Sequence, residues 1–126
     1  ELLKASSIVP MANQVEFSPF LYQKELLAFC TSHKIVVEAY SPLTRGKRLD
    51  DKKLVSVAAT YKRTPAQIML RWALQHDLVI LPKSTHAARI KENCALYDFT
   101  LSGSDMKTID ALNEDARYCW DPNTVD

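Results

Sequence analysis

Lys83, Ser84, Arg89 and Asn93 fall close together in a chain that otherwise offers little chemistry. An apolar run, Leu78-Val79-Ile80-Leu81, stops at Pro82 and hands over at once to Lys83 and Ser84. The segment that follows suits a helix. On it Arg89 and Asn93 stand four apart and share one face, with Glu92 beside them. A strand end, two cations, a hydroxyl and a helix N-terminus thus surround one small volume. That combination suits a phosphate.

The elements that must position these groups can be read along the chain. Residues 1–5 predict the tail of a helix. Residues 12–17 predict a short strand carrying Asn13, Gln14 and Glu16, closed by Ser18-Pro19. Leu26, Leu27, Phe29 and Cys30 recur at helical spacing over residues 23–33. Residues 35–40 are β-branched and read as a buried strand that Ser41-Pro42 ends. A loop through Thr44, Arg45, Gly46, Lys47 and Arg48 follows, read as a solvated basic loop rather than a phosphate clamp. Asp50 or Asp51 caps the next helix, which turns Leu54, Ala58 and Tyr61 to one side. Thr64-Pro65-Ala66-Gln67 combines a threonine N-cap, proline at N1 and glutamine at N3. Its helix carries Ile68, Met69, Trp72 and Ala73 inward and ends near His76. Residues 78–81 form the third strand and 85–96 the helix after it. Ser102-Gly103-Ser104-Asp105 caps a last helix with Met106, Ile109 and Leu112, before an aromatic, then polar tail over 117–126.

Strands alternating with helices imply parallel βαβ units, hence an α/β fold. In such folds ligands bind at the C-terminal strand ends, and two of these carry Tyr40-Ser41 and Lys83-Ser84.

Composition narrows the function classes. The chain has 126 residues, 47% hydrophobic and 25% charged, with a net charge of +1, as expected of one globular domain. That balance gives no reason to expect nucleic acid or an anionic membrane as partner. No apolar run approaches the roughly 20 residues of a membrane span. Two glycines leave no room for a GxGxxG fingerprint or a P-loop. Cys30, Cys94 and Cys119 are odd in number and widely spaced, the pattern of reduced thiols in a cytoplasmic protein. The start, Glu1-Leu2-Leu3-Lys4, has neither an initiator methionine nor a signal-peptide pattern, which predicts a fragment or a processed chain. His33, His76 and His86 read as surface residues without metal partners, and Trp72 as packing. Glu16 and Glu38 read as polar strand residues with no assigned function.

Several segments resemble the aldo-keto reductases. They are Asn13-Gln14-Val15-Glu16, Ala39-Tyr40-Ser41-Pro42-Leu43, Thr64-Pro65-Ala66-Gln67 with Leu70-Arg71-Trp72, and Leu81-Pro82-Lys83-Ser84 with Arg89-Ile90 and Glu92-Asn93. Tyr97-Asp98-Phe99-Thr100-Leu101-Ser102 and Trp120-Asp121-Pro122 extend the match over nearly the whole chain. The resemblance implies a (β/α)8 barrel, about 250 residues when typical, that binds NADP(H) without a Rossmann fold. Residues 1–126 would be its C-terminal portion: strands six to eight, their helices, an extra helix and the tail.

By the same resemblance Gln14 would bond the nicotinamide carboxamide and Tyr40 would stack on the ring. Ser41, Leu43 and the loop around Arg45 would line the pyrophosphate. Lys83, Ser84 and Arg89 would hold the 2′-phosphate, and Glu92 and Asn93 the adenine end. Trp120 lies in a tail that closes over substrate in relatives. The implied activity is reduction of a small aldehyde or ketone to an alcohol. The family's proton-donating tyrosine, with its lysine, aspartate and histidine, belongs to the first four strands. None of Tyr22, Tyr40, Tyr61, Tyr97 or Tyr118 sits in its motif. Ser18-Pro19 also departs from the usual His-Pro. The chain alone is therefore expected to hold cofactor without turning over. The competing expectation is a truncated, non-catalytic member that binds nucleotide or a partner. Unpaired strand edges and residues such as Val36 and Val79 predict self-association of such a piece.

Overall fold

The computed structural model describes residues 2–124; Glu1, at the start of the expected helix tail, and Val125 and Asp126, at the end of the tail, lie outside the described residues. The elements run α1 (Leu2–Ala5), β1 (Ala12–Glu16), α2 (Lys24–Ser32), β2 (Val36–Tyr40), α3 (Lys52–Tyr61), α4 (Pro65–Gln75), β3 (Val79–Leu81), α5 (Ala87–Cys94) and α6 (Gly103–Asp110). Short 3-10 turns occupy Thr44–Gly46 and Pro122–Thr124.

The sheet is parallel throughout, in the order β1-β2-β3. Glu16 lies opposite Tyr40, and Tyr40 opposite Leu81. Side chains alternate between sheet faces, and the two faces differ. Val37 and Ala39 are buried with Phe17, Trp72, Met69 and Leu78 in the core. Val36, Val79 and Leu81 are 46%, 43% and 39% exposed. β2 is thus buried on one face only, and Val36 and Val79 are exposed on the other, as expected of strands whose open face has no barrel partner. The register places Gln14, Glu16, Glu38 and Tyr40 on the open face with those apolar residues.

Local signals explain the helices. Asp51, not Asp50, caps α3: its carboxylate accepts the N–H groups of Lys53 and Leu54. The capping box of α4 is complete. Thr64 Oγ1 accepts Gln67 N–H at 3.2 Å, and Gln67 Oε1 accepts Thr64 N–H at 3.1 Å. Ile68, Met69, Leu70 and Trp72 of this helix are fully buried. Thr64→Ala removes the cap and should lower unfolding stability by about 1 kcal/mol, read from denaturant midpoints; an unchanged midpoint would show the cap to be energetically idle.

Helix α5 is shorter than the segment 85–96 expected for it. Ser84 Oγ accepts His86 N–H and holds residues 84–86 in a turn, and His86 itself is extended. At the other end Gln67 Nε2 donates to the carbonyls of Glu92 and Ala95, closing the helix with a side chain of α4.

Ser102 caps α6 by accepting Asp105 N–H. Ser102 Oγ and the Tyr61 hydroxyl both donate to Asp105 Oδ2 at 2.6 Å, and together they hold its carboxyl below the usual 3.8. A lowered folded-state pKa adds stability above the unfolded value and loses it as pH falls through the folded one. Asp105→Asn should therefore be less stable than the parent at neutral pH. The two should converge in pH-dependent melts only once pH has fallen through the lowered folded-state value of this carboxyl.

His76 is not a surface residue. Its Nε2 meets Asp110 Oδ1 at 2.8 Å, and its ring packs on Tyr22 and Trp72. Trp72 Nε1 donates to the same oxygen at 2.8 Å. Asp110 of α6 therefore ties down two side chains from the end of α4.

Candidate functional site

A cleft of about 900 Å³ opens at the C-terminal ends of β2 and β3. Tyr40, Ser41, Leu43, Lys83, Ser84, Arg89, Glu92 and Asn93 all line it. Of the residues expected at the site only Gln14 lies outside, because it sits further back along β1. There it donates from Nε2 to Glu38 Oε2 at 2.8 Å. It nevertheless shares the open sheet face with Tyr40.

Two loops build the cleft. The one after β2 makes a tight path with positive φ at Ser41, Thr44, Arg45 and Gly46. Only the glycine adopts that region freely, so three side-chain-bearing residues hold a costly backbone there. Thr44 is fully buried, and Thr44 N–H reaches Ser41 O at 3.0 Å, which fixes the turn from inside. The loop after β3 carries Lys83, Ser84, Thr85 and His86 into the first turn of α5.

No side chain caps α5, so its first N–H groups face the cleft end of this loop without a carboxylate or hydroxyl from the cap residue. Among the described residues neither Lys83 nor Arg89 pairs with an acid. Glu92 is partly engaged, since its Oε1 accepts the Thr64 hydroxyl at 2.6 Å. Asn93 is buried in the wall.

Tyr40 is half-buried. Burial raises its hydroxyl pKa first, and Glu16 and Cys119 raise it further, against smaller opposing effects of Arg117 and a backbone hydrogen bond at Glu16. The phenol therefore stays neutral around neutral pH.

The basic loop divides. Arg45 lines the cleft and reaches Tyr118 O at 3.5 Å. Arg48 is neither solvated nor turned to a phosphate. It forks onto Glu114 at 2.8 and 3.0 Å, donates to the Tyr118 hydroxyl and stacks over Phe20 at 3.9 Å. That pairing raises the Arg48 pKa and lowers that of Glu114. The other tyrosines also have structural places: Tyr22 packs on Trp72, Tyr61 bonds Asp105, Tyr118 meets Arg48, and Tyr97 is exposed.

Gly46, in the loop expected around Arg45, lines the cleft; Thr85, His86 and Ala66 line it as well and escaped the sequence reading. His86 had a usable signal, since it lies two residues after Ser84, just before the helix start. The left-handed backbone at Ser41 and Thr44 had none.

The model of the Aldo/keto reductase family matches residues 1–114. The chain belongs to the aldo-keto reductase family. An uncharacterized oxidoreductase of Bacillus subtilis, YtbE, is 50% identical over 126 residues, all of this chain and 45% of that protein. The glyoxal reductase of the same organism is 49% identical over 125 residues, 99% of this chain and 45% of that one. A mutant of Gox0644 solved in complex with NADPH superposes with a TM-score of 0.92 at 37% identity, over 98% of this chain and 46% of its own. An aldo-keto reductase, AKR2E5, complexed with NADPH gives 0.87 at 28% identity, over 94% and 40%.

The chain thus spans about half the length of the curated relatives it matches. Its three βα units match part of the (β/α)8 barrels of these aldo-keto reductase structures, as a partial α/β fold with a parallel sheet. Among the described residues no helix is long and apolar enough to cross a membrane.

Proposed function

We propose that this aldo-keto reductase chain carries the cofactor-binding half of an NADP(H)-dependent carbonyl reductase. The observation that carries the reading is one cleft lined by Lys83 and Arg89, both without acidic partners among the described residues, together with Ser84 and the uncapped start of α5. A dianionic 2′-phosphate answers that donor set: charge-assisted bonds from ammonium and guanidinium, with a helix N-terminus behind them. NAD(H) lacks that phosphate and would leave both cations unanswered. The two NADPH complexes among its structural relatives and the glyoxal reductase among its sequence relatives support the same reading.

In this arrangement Lys83, Ser84 and Arg89 hold the 2′-phosphate, while Glu92 and Asn93 border the adenine. Ser41, Leu43 and Arg45 flank the pyrophosphate. Tyr40 offers one face to the nicotinamide, and Gln14, on the same sheet face, orients its carboxamide once its side chain leaves Glu38. When bound, the reduced nicotinamide supplies the hydride that converts an aldehyde or ketone to an alcohol. The proton donor comes from outside this chain. A cytoplasmic setting suits the three free cysteines.

NADPH oxidation with a simple aldehyde tests the division of labour. The whole protein should turn over and bind NADPH in preference to NADH. Residues 1–126 alone should not turn over, and steady turnover by them would contradict the missing proton donor.

The exposed Val36, Val79 and Leu81 support a second, compatible reading for the isolated piece: it associates with itself through the open sheet face. By size exclusion the 126-residue chain should elute well above its 14.3 kDa monomer mass. A soluble monomer with a sharp melt would reject this.

A further inference from the structure

A buried carboxylate stands at the C-terminal end of β1 with no place in the cofactor site. Glu16 is 2% exposed. Its Oε1 accepts Tyr118 N–H at 2.7 Å and its Oε2 accepts Cys119 N–H at 3.2 Å. Two successive backbone donors on one carboxylate form a charge-assisted clamp, of the kind that makes burial of a charge tolerable.

The clamped segment is a strap over residues 114–120. Phe20 O accepts the N–H groups of Glu114 and Ala116, and Arg48 holds Glu114 and the Tyr118 hydroxyl. Arg45, a cleft residue, reaches Tyr118 O. Across the sheet Glu16 is the register partner of Tyr40. The carboxylate therefore ties the strap down beside the aromatic platform of the cleft.

We infer that Glu16 is a positioning residue: by clamping Tyr118 and Cys119 it fixes the C-terminal strap as a wall beside Tyr40 and so shapes the place of the carbonyl substrate. This rests on the carbonyl-reductase reading for its substrate, while the clamp itself can be tested without it. Glu16→Gln keeps the shape but removes the charge that both N–H groups share. Without the clamp the strap opens more often, and opening is what a protease reads.

The experiment uses the whole protein, with limited trypsin digestion at the Arg117–Tyr118 bond. Glu16→Gln should raise the cleavage rate there about tenfold. It should also raise the KM for a small aldehyde several-fold while the Kd for NADPH stays within about twofold, a split that general loosening of the fold does not produce. In a chain ending at Ala116, Glu16→Gln should have no further effect on KM, because the two changes act through one contact. Unchanged cleavage, or an equal KM change in the shortened chain, overturns the inference. If Glu16→Gln does not fold, Arg48→Met frees the strap from its other anchor and must give the same split. Failure of the parent to bind NADPH would sink the cofactor reading alone and leave the cleavage result to decide the clamp.

Discussion

Lys83→Met or Arg89→Met in the whole protein weakens NADPH binding about 10- to 100-fold and leaves NADH within about twofold. The magnitude follows from the loss of one charge-assisted phosphate contact, about 1.5–3 kcal/mol. The asymmetry follows from position. Both side chains lie in the cleft at the α5 end, away from Gln14 on β1. The only group that separates the two cofactors is the 2′-phosphate. Among the described residues neither holds the fold together through an ion pair with an acid. Thermal melts of both variants should therefore match the parent. Fluorescence titration with each cofactor reads the result directly. Equal loss for NADPH and NADH would remove the 2′-phosphate assignment. A Lys83→Arg variant retaining NADPH selectivity would show that charge, rather than the lysine's particular reach, is what the site requires.

Trp72→Ala carries the largest expected cost to stability, about 3–5 kcal/mol. Trp72 is fully buried, and its ring meets Phe17, Tyr22 and His76 at centroid distances of 6.0, 5.3 and 4.8 Å. Alanine leaves a cavity among these rings, which relaxes only partly. It also deletes the donor to Asp110, which His76 would then hold alone. Denaturant unfolding of the whole protein measures the loss. Asp110→Ala provides the polar half of the comparison: it strands the indole N–H and should cost about 1–3 kcal/mol. A Trp72→Ala loss no larger than that of Asp110→Ala would place the stabilisation in the hydrogen bonds rather than in packing. α4 borders the cleft through Ala66, and its N-cap threonine holds Glu92. The destabilised variant should therefore also lose cofactor affinity on warming before it unfolds.

Much of the lining of the cleft was legible from residue types and their order. Pro82-Lys83-Ser84 after an apolar run, and Arg89 with Asn93 on one helix face, already imply a phosphate site at a strand end. The nicotinamide end entered only through family resemblance, and Gln14 shows the difference. In the structure its amide is occupied by Glu38. Arg48 and His76 went astray for a common reason: each read as solvated, and each has a partner far along the chain. The shortening of α5 likewise depends on Gln67, which reaches across from another helix.

The sequence by itself determined the succession of strands and helices and where most helices begin. Asp51, Thr64 with Gln67, and Ser102 act within three residues of the groups they cap, and periodicity is likewise local. Only the tertiary structure decided what the polar groups meet. Glu16 finds Tyr118 across 102 residues of chain, Arg48 finds Glu114 across 66, and His76 finds Asp110 across 34. Such partners are chosen by how the sheet register and helix packing bring distant segments together, and no spacing in the sequence encodes them. The open sheet face, half polar at β1 and β2 and apolar at β3, is decided the same way. Strand register sets which residues share it, and what packs against the sheet sets whether water or protein covers it.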